Sequence, residues 1–178
     1  MSNNAQQLVF QRSLVDPQQA LCAVLDGASI PNLLTLLAVH KLPHVCLLPG
    51  DVDEELAQVA PYLVQFQANS EFLTHFLAEG LHKHWGILAA SNAHLRTLRI
   101  HFRNLLSVWN FEGKPLFFRY YDPRVLRIYL PTCNTEELDV LFNSVTAYYI
   151  EGEAPASLQC FMRGEQGLIQ SQILLNNA

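Results

Sequence analysis

Four short apolar runs set the architecture this chain can adopt. They lie at residues 21–25 (LCAVL), 44–48 (HVCLL), 62–66 (YLVQF) and 85–89 (WGILA), and stretches with helical spacing separate the first from the second and the third from the fourth. Runs of this length bounded by turn signals read as buried strands. Asp26-Gly27 closes the first and Pro49-Gly50 the second. Between them, Pro31 stands at a first helical position ahead of leucines at 33, 34, 36 and 37, which predicts a helix over 31–39. An acidic loop or short helix follows at 51–57. Ser70 is a helix cap for 70–81, with apolar residues at 72, 73, 76 and 77 and Gly80 near the end. A repeated order of strand, helix, strand predicts a single α/β domain over 1–178. Its sheet is expected to be mixed but mostly parallel, with flanking helices and a C-terminal portion of hairpin and helix.

The second half continues the pattern. Residues 92–106 place Leu95, Leu98, Phe102, Leu105 and Leu106 on one stripe of a helix. Arg96, Arg99 and Arg103 fall on the adjoining sector, a ridge of guanidinium groups. Residues 107–111 and 115–121 read as a hairpin around Glu112-Gly113-Lys114. Asp122-Pro123 is a cap and first helical position for a helix that Pro131 stops. A further helix is expected from Thr135 through Phe142, and strands at 147–150 and 157–162. Residues 1–16 read as a lead-in or a short first element, and 167–178 are ambiguous.

Composition narrows the class. Half of the 178 residues are apolar and 15% are charged, enough apolar surface to offset chain entropy without a disulfide or metal staple. No apolar run reaches the roughly 18–20 residues that span a bilayer. Residues 1–10 carry no Lys or Arg and no apolar core, so no secretory leader and a cytoplasmic location are expected. Cys22, Cys46, Cys133 and Cys160 form no C-x-x-C pair and are expected as free thiols in a reducing compartment. The net charge of −5 argues against nucleic acid and anionic membranes as partners. It is unevenly spread: residues 83–127 hold eight basic and two acidic side chains, a segment of +6 that leaves −11 elsewhere. Such a dipolar chain either pairs its arginines internally or docks an acidic partner.

Chemistry-bearing motifs are few. There is no phosphate-cradling G-x-x-x-x-G-K-[ST], no G-x-G-x-x-G, and no glycines around Ser91 to make a nucleophile elbow. Asp26 sits at a strand end, where a phosphotransfer nucleophile could stand, but Gly27 and Ala28 follow instead of a second carboxylate to share Mg²⁺. A turn-forming or salt-bridged Asp26 is the expectation, with a small Mg-dependent hydrolase or phosphotransferase as the alternative. His40 and His44 near Cys46, and His82 and His84 around Lys83, lack convergent ligand spacing, so no metal or other cofactor is expected. His75 and His101 read as residues of polar helix faces. Arg119, Tyr121, Asp122, Pro123 and Arg124 cluster with Tyr120 at a strand-to-helix junction. They are expected either to fix that junction as an ion-pair cluster or to recognise a partner.

At this junction the sequence resembles the effector-chaperone, or adaptor, family of the bacterial type VI secretion system, catalogued as a domain of unknown function. The resemblance runs from about residue 21 to 153. It rests on Val24-Leu25-Asp26-Gly27, residues 47–50, Ala60-Pro61-Tyr62-Leu63, Trp85-Gly86 with Ser91, and His101-Phe102-Arg103 with Leu105. The Gly113 turn, Leu130-Pro131 and the most specific block, Phe118-Arg119-Tyr120-Tyr121-Asp122-Pro123-Arg124-Val125-Leu126, complete it. Phe102 departs from the family, which has Leu there. The resemblance implies a binding module without catalysis. Its implied partners are the N-terminal region of an effector protein and the VgrG spike onto which the effector is loaded. Arg96, Arg99 and Arg103 are the expected partner-binding residues. Relatives continue into a variable C-terminal region, for which this sequence has a short extension over 154–178, so the core is expected to grip the effector. A scaffold role as an oligomer is a third reading.

Overall fold

The computed structural model describes residues 19–67 and 70–175. The expectations for residues 1–16 and for the last three residues lie outside these. In chain order the elements are β1 (Ala20–Asp26), α1 (Leu33–Val39), β2 (His44–Cys46), α2 (Glu54–Val59), β3 (Pro61–Gln65), α3 (Glu71–His75), β4 (Gly86–Ser91) and α4 (Leu95–Leu105). They continue with β5 (Ser107–Trp109), β6 (Pro115–Phe117), α5 (Pro123–Tyr129), α6 (Thr135–Phe142), β7 (Ala147–Glu151), β8 (Ser157–Gly164) and β9 (Gly167–Leu174).

Seven strands form one sheet in the order β2-β3-β1-β4-β7-β8-β9, and β5 and β6 form a separate ribbon. Every pairing in the large sheet is antiparallel. The mostly parallel sheet expected from the strand–helix order is therefore corrected. The physical reason lies in burial. The central strands β1, β3 and β4 are covered on both faces, so they carry the unbroken apolar runs usually found in parallel sheets. One face of β1, with Leu21, Ala23 and Leu25, packs on Leu33, Leu37, Phe72 and Phe76. The other, with Cys22 and Val24, packs on Leu98, Phe102, Leu126, Leu130 and Leu141. The domain is thus a helix–sheet–helix sandwich in which α1 and α3 cover one face and α4, α5 and α6 the other.

Local chemistry sets the helix ends. Ser70 Oγ accepts from Leu73 N at the start of α3, and a wider π turn over Phe76–Gly80 replaces the end of the single helix expected there. Asn134 and Glu137 exchange hydrogen bonds in a capping box on α6. Two fully buried phenols find carbonyl partners: Tyr120 donates to Phe102 O at 2.8 Å and Tyr148 to Leu141 O at 2.6 Å. Without them two hydroxyls would be orphaned in the apolar layer between α4 and the sheet. The ambiguous tail resolves into β9, an eight-residue edge strand. Among the described residues no helix is long and apolar enough to cross a membrane.

His101 corrects the reading of a polar helix face. It is buried beneath α4, with Nε2 3.5 Å from the Tyr148 hydroxyl oxygen. Burial pushes its pKa down to about 4, against an opposing pull from the Leu141 carbonyl. The native state therefore keeps a neutral ring at pH values where the unfolded chain, titrating near 6.5, already binds a proton. Stability is unaffected above pH 6.5 and falls as the pH drops from about 6.5 toward 4, by roughly 3 kcal/mol in total. Denaturant unfolding from pH 7 to 4.5 is expected to show a steeper loss for the wild type than for His101→Gln. Parallel slopes would assign the acid sensitivity to other groups.

Candidate functional site

Three groups of side chains converge where β1 and β7 end and β4 begins. Asp26 closes β1 and is buried. Its Oδ1 accepts from Ala28 N at 3.0 Å, and its Oδ2 accepts from Ser29 Oγ at 3.0 Å and from Arg119 Nη2 at 2.8 Å. The carboxylate is thus occupied by a turn and an ion pair, the salt-bridged reading of this residue. Arg119 lies just beyond β6 rather than on a strand. Its side chain is half exposed, over the ring of Tyr121 at 5.8 Å.

Asp122 caps α5 by accepting from Arg124 N at 3.0 Å. The same carboxylate takes a bidentate grip from Arg124, Nε to Oδ1 at 3.0 Å and Nη2 to Oδ2 at 2.7 Å. Burial pushes this carboxyl up, but the bonds from the Arg124 side chain and amide outweigh it and hold the pKa below the usual value. Pro123 follows at the first helical position, as the sequence predicted.

Glu151 is the third group and was not anticipated. It ends β7 buried, accepts from His82 N at 2.8 Å and hydrogen-bonds His84 Nδ1. Both histidines have positive φ, so Glu151 staples an unusual loop in place. Arg127 Nη1 donates to the Glu151 carbonyl at 3.0 Å, tying α5 to the same sheet end. The junction is thus a set of internally paired charges joining α5, β1 and β7. Among the described residues no group of three or more His, Cys, Asp or Glu is placed to hold a metal ion.

The arginine ridge divides. Arg103 points back into the protein: Nε donates to Leu47 O at 3.1 Å and Nη2 to Leu48 O. It fastens α4 to the exit of β2. Arg96 and Arg99 are exposed, and no ion pair or hydrogen bond with a described residue engages them. Only these two remain available to a partner.

A cluster of exposed aromatic and aliphatic side chains was missed by residue-level reading. The β5–β6 ribbon follows α4 directly and is held by its own turn. Asn110 Oδ1 accepts from Glu112 N at 3.0 Å and Lys114 N at 2.8 Å, and Gly113 turns with φ 73°. Trp109 is 69% exposed, Phe111 fully exposed, and Leu116 and Phe117 51% and 57%. The signal was in the pairing. Val108 lies opposite Leu116 on one face, while Trp109 and Phe117 lie on the other. A ribbon apolar on both faces can bury both only between two bodies, and this domain supplies one. At the root of the ribbon an apolar groove of about 350 Å³ opens beside Val108, Phe118 and Tyr129. It adjoins a second space of about 450 Å³ between α4 and α6, over Ile100, His101 and Val140.

This arrangement suits protein–protein contact. Trp and Phe standing free on a preformed scaffold are the residue types that anchor interfaces. The paired arginines of the junction fix α5 to the sheet end, and Arg96 and Arg99 offer uncommitted positive charge.

Comparison with known proteins adds one assignment. No curated protein and no solved structure matches the chain. The profile of the family described as "Domain of unknown function (DUF4123)" matches residues 21–139, which take in nearly all of β1 through most of α6, with Asp26, Arg119, Asp122, Arg124 and the ribbon but not Glu151. The chain belongs to this family.

Proposed function

We propose that this protein is an adaptor that binds a type VI secretion effector in the producing cell and assists its loading onto the VgrG spike. The observation that carries the reading is the β5–β6 ribbon, which holds Trp109, Phe111, Leu116 and Phe117 out of the core on a turn closed by hydrogen bonds to Asn110. Exposed apolar area concentrated on one projecting element is characteristic of surfaces meant to be covered. The family's motif blocks, from Val24 through Leu130-Pro131, support the same reading through their resemblance to secretion adaptors.

In mechanistic terms, the ribbon and the groove at its root cover an apolar segment in the N-terminal region of the effector. Covering that segment removes it from aggregation while the effector waits. Arg96 and Arg99 steer acidic residues of the effector and help fix register, contributing more to association rate and orientation than to affinity. Arg103, committed to Leu47 and Leu48, acts as a brace.

Co-expression with a type VI secretion effector of the same organism tests the proposal. A stable complex on size exclusion, with an effector that is insoluble when expressed alone, is the expected result. An effector that is soluble alone and never co-purifies would remove the adaptor reading.

A further inference from the structure

The free edge of the large sheet carries a second, independent message. β9 is the last strand, paired on one side with β8 from Ser157↔Leu174 to Gly164↔Gly167. Among the described residues no strand pairs with its other side. Its sequence, Gly167-Leu168-Ile169-Gln170-Ser171-Gln172-Ile173-Leu174, holds no charge and no proline. Edges usually carry such residues because an unguarded row of N–H and C=O groups templates another strand. The opposite edge, β2, is only three residues long.

The side chains specify which strand fits. Residues 168–174 read Leu-Ile-Gln-Ser-Gln-Ile-Leu, the same in both directions about Ser171. Two antiparallel copies related by a two-fold axis at Ser171 would place Leu168 opposite Leu174, Ile169 opposite Ile173, and Gln170 opposite Gln172. Every cross-strand pair is then like with like, apolar on apolar and amide on amide, with no charges opposed. The two apolar side chains this strand leaves about half exposed, Ile169 at 49% and Leu174 at 58%, would each meet a matching neighbour from the second copy.

We infer that the occupant of this edge is a second copy of the chain, and that the protein dimerises through β9 into a continuous fourteen-stranded antiparallel sheet. The interface is isologous, as closed two-fold dimers require. It lies at the end of the sheet and uses none of the ribbon residues, so it stands apart from the partner-binding reading.

Cysteine crosslinking of the full chain tests the register. In the dimer, Gln170 of one copy faces Gln172 of the other, at a Cα separation of about 4.5–5.5 Å that a disulfide can bridge. Two Gln170 side chains lie diagonally, about 7–8 Å apart, too far for one. Under oxidation a mixture of Gln170→Cys and Gln172→Cys proteins is expected to crosslink several-fold more than either alone, above the background of the natural cysteines in the wild type. Light scattering is expected to give twice the chain mass for wild type. Ser171→Lys, which sets two ammonium groups against each other on the axis, is expected to give the monomer with unchanged circular dichroism. If that variant fails to fold, the crosslinks decide alone. A monomeric wild type, a dimer that survives Ser171→Lys, or crosslinks that favour Gln170 with itself would overturn the inference. So would protection of the edge by a partner's strand in a one-to-one complex.

Discussion

Replacing Trp109, Phe111 and Phe117 together by serine is expected to weaken capture of the effector about 100-fold or more while leaving the domain folded. Anchor aromatics at an interface cost about 2 kcal/mol or more each when truncated, and three of them need not add fully to exceed a factor of 100. The three side chains are 57% exposed or more, so they contribute little to the core, and the melting temperature should move by no more than about 2 °C. The turn that shapes the ribbon depends on Asn110 and Gly113, which the substitutions leave alone. Calorimetric titration against the purified effector segment reads the first quantity and thermal unfolding the second. Wild-type affinity in the triple variant would move the interface elsewhere. A large fall in melting temperature would make the ribbon a structural element.

The second large effect is structural. Gly86→Ala is expected to cost about 4 kcal/mol or more and to lower the melting temperature by roughly 10 °C, or to prevent folding outright. Gly86 opens β4 with φ 150°, a conformation that L side chains rarely adopt. A methyl group there would lie 2.2 Å from the Val24 carbonyl oxygen and 3.0 Å from Leu25 Cα. Both belong to the backbone of β1, one of the central strands, and neither can yield without parting β1 from β4 at Leu25↔Gly86. The same register brings the Asp26 amide to the Trp85 carbonyl at 2.9 Å, so strain would reach the Asp26–Arg119 pair. Gly113→Ala makes a useful comparison. Its φ is 73°, but a Cβ there meets nothing within 4 Å, so only the conformational cost applies, about 1 kcal/mol. Equal losses for the two would show that backbone strain, and not the clash with β1, dominates at Gly86.

Much of the junction was legible because its signals are local. Asp122 and Pro123 sit next to the amides they cap, and Arg124 reaches the same carboxylate from two residues away. The partner of Arg119 was not legible, because Asp26 is 93 positions distant. Glu151 and the loop of His82 and His84 escaped for the same reason, since the contact forms only when β7 lies beside β4. Arg103 looked equivalent to Arg96 and Arg99 on a helical wheel. It became a brace only because the carbonyls of Leu47 and Leu48 lie against that flank of α4.

By itself the sequence determined the approximate place and type of most elements, which residues are apolar enough to form the core, and that the charges of 83–127 are one-sided. Periodicity, caps and turn residues act over a few positions and can be read from a few positions. Strand direction and order were decided only in the tertiary structure. An apolar run records that a strand is covered on both faces and says nothing about which way its neighbours travel. That choice belongs to pairings such as Cys22 with Gln65 and with Ala89, made between residues far apart in the chain. The same long-range geometry separated the arginine that braces from the two that face outward, left the aromatic ribbon outside the core, and placed β9 last in the sheet among the described residues.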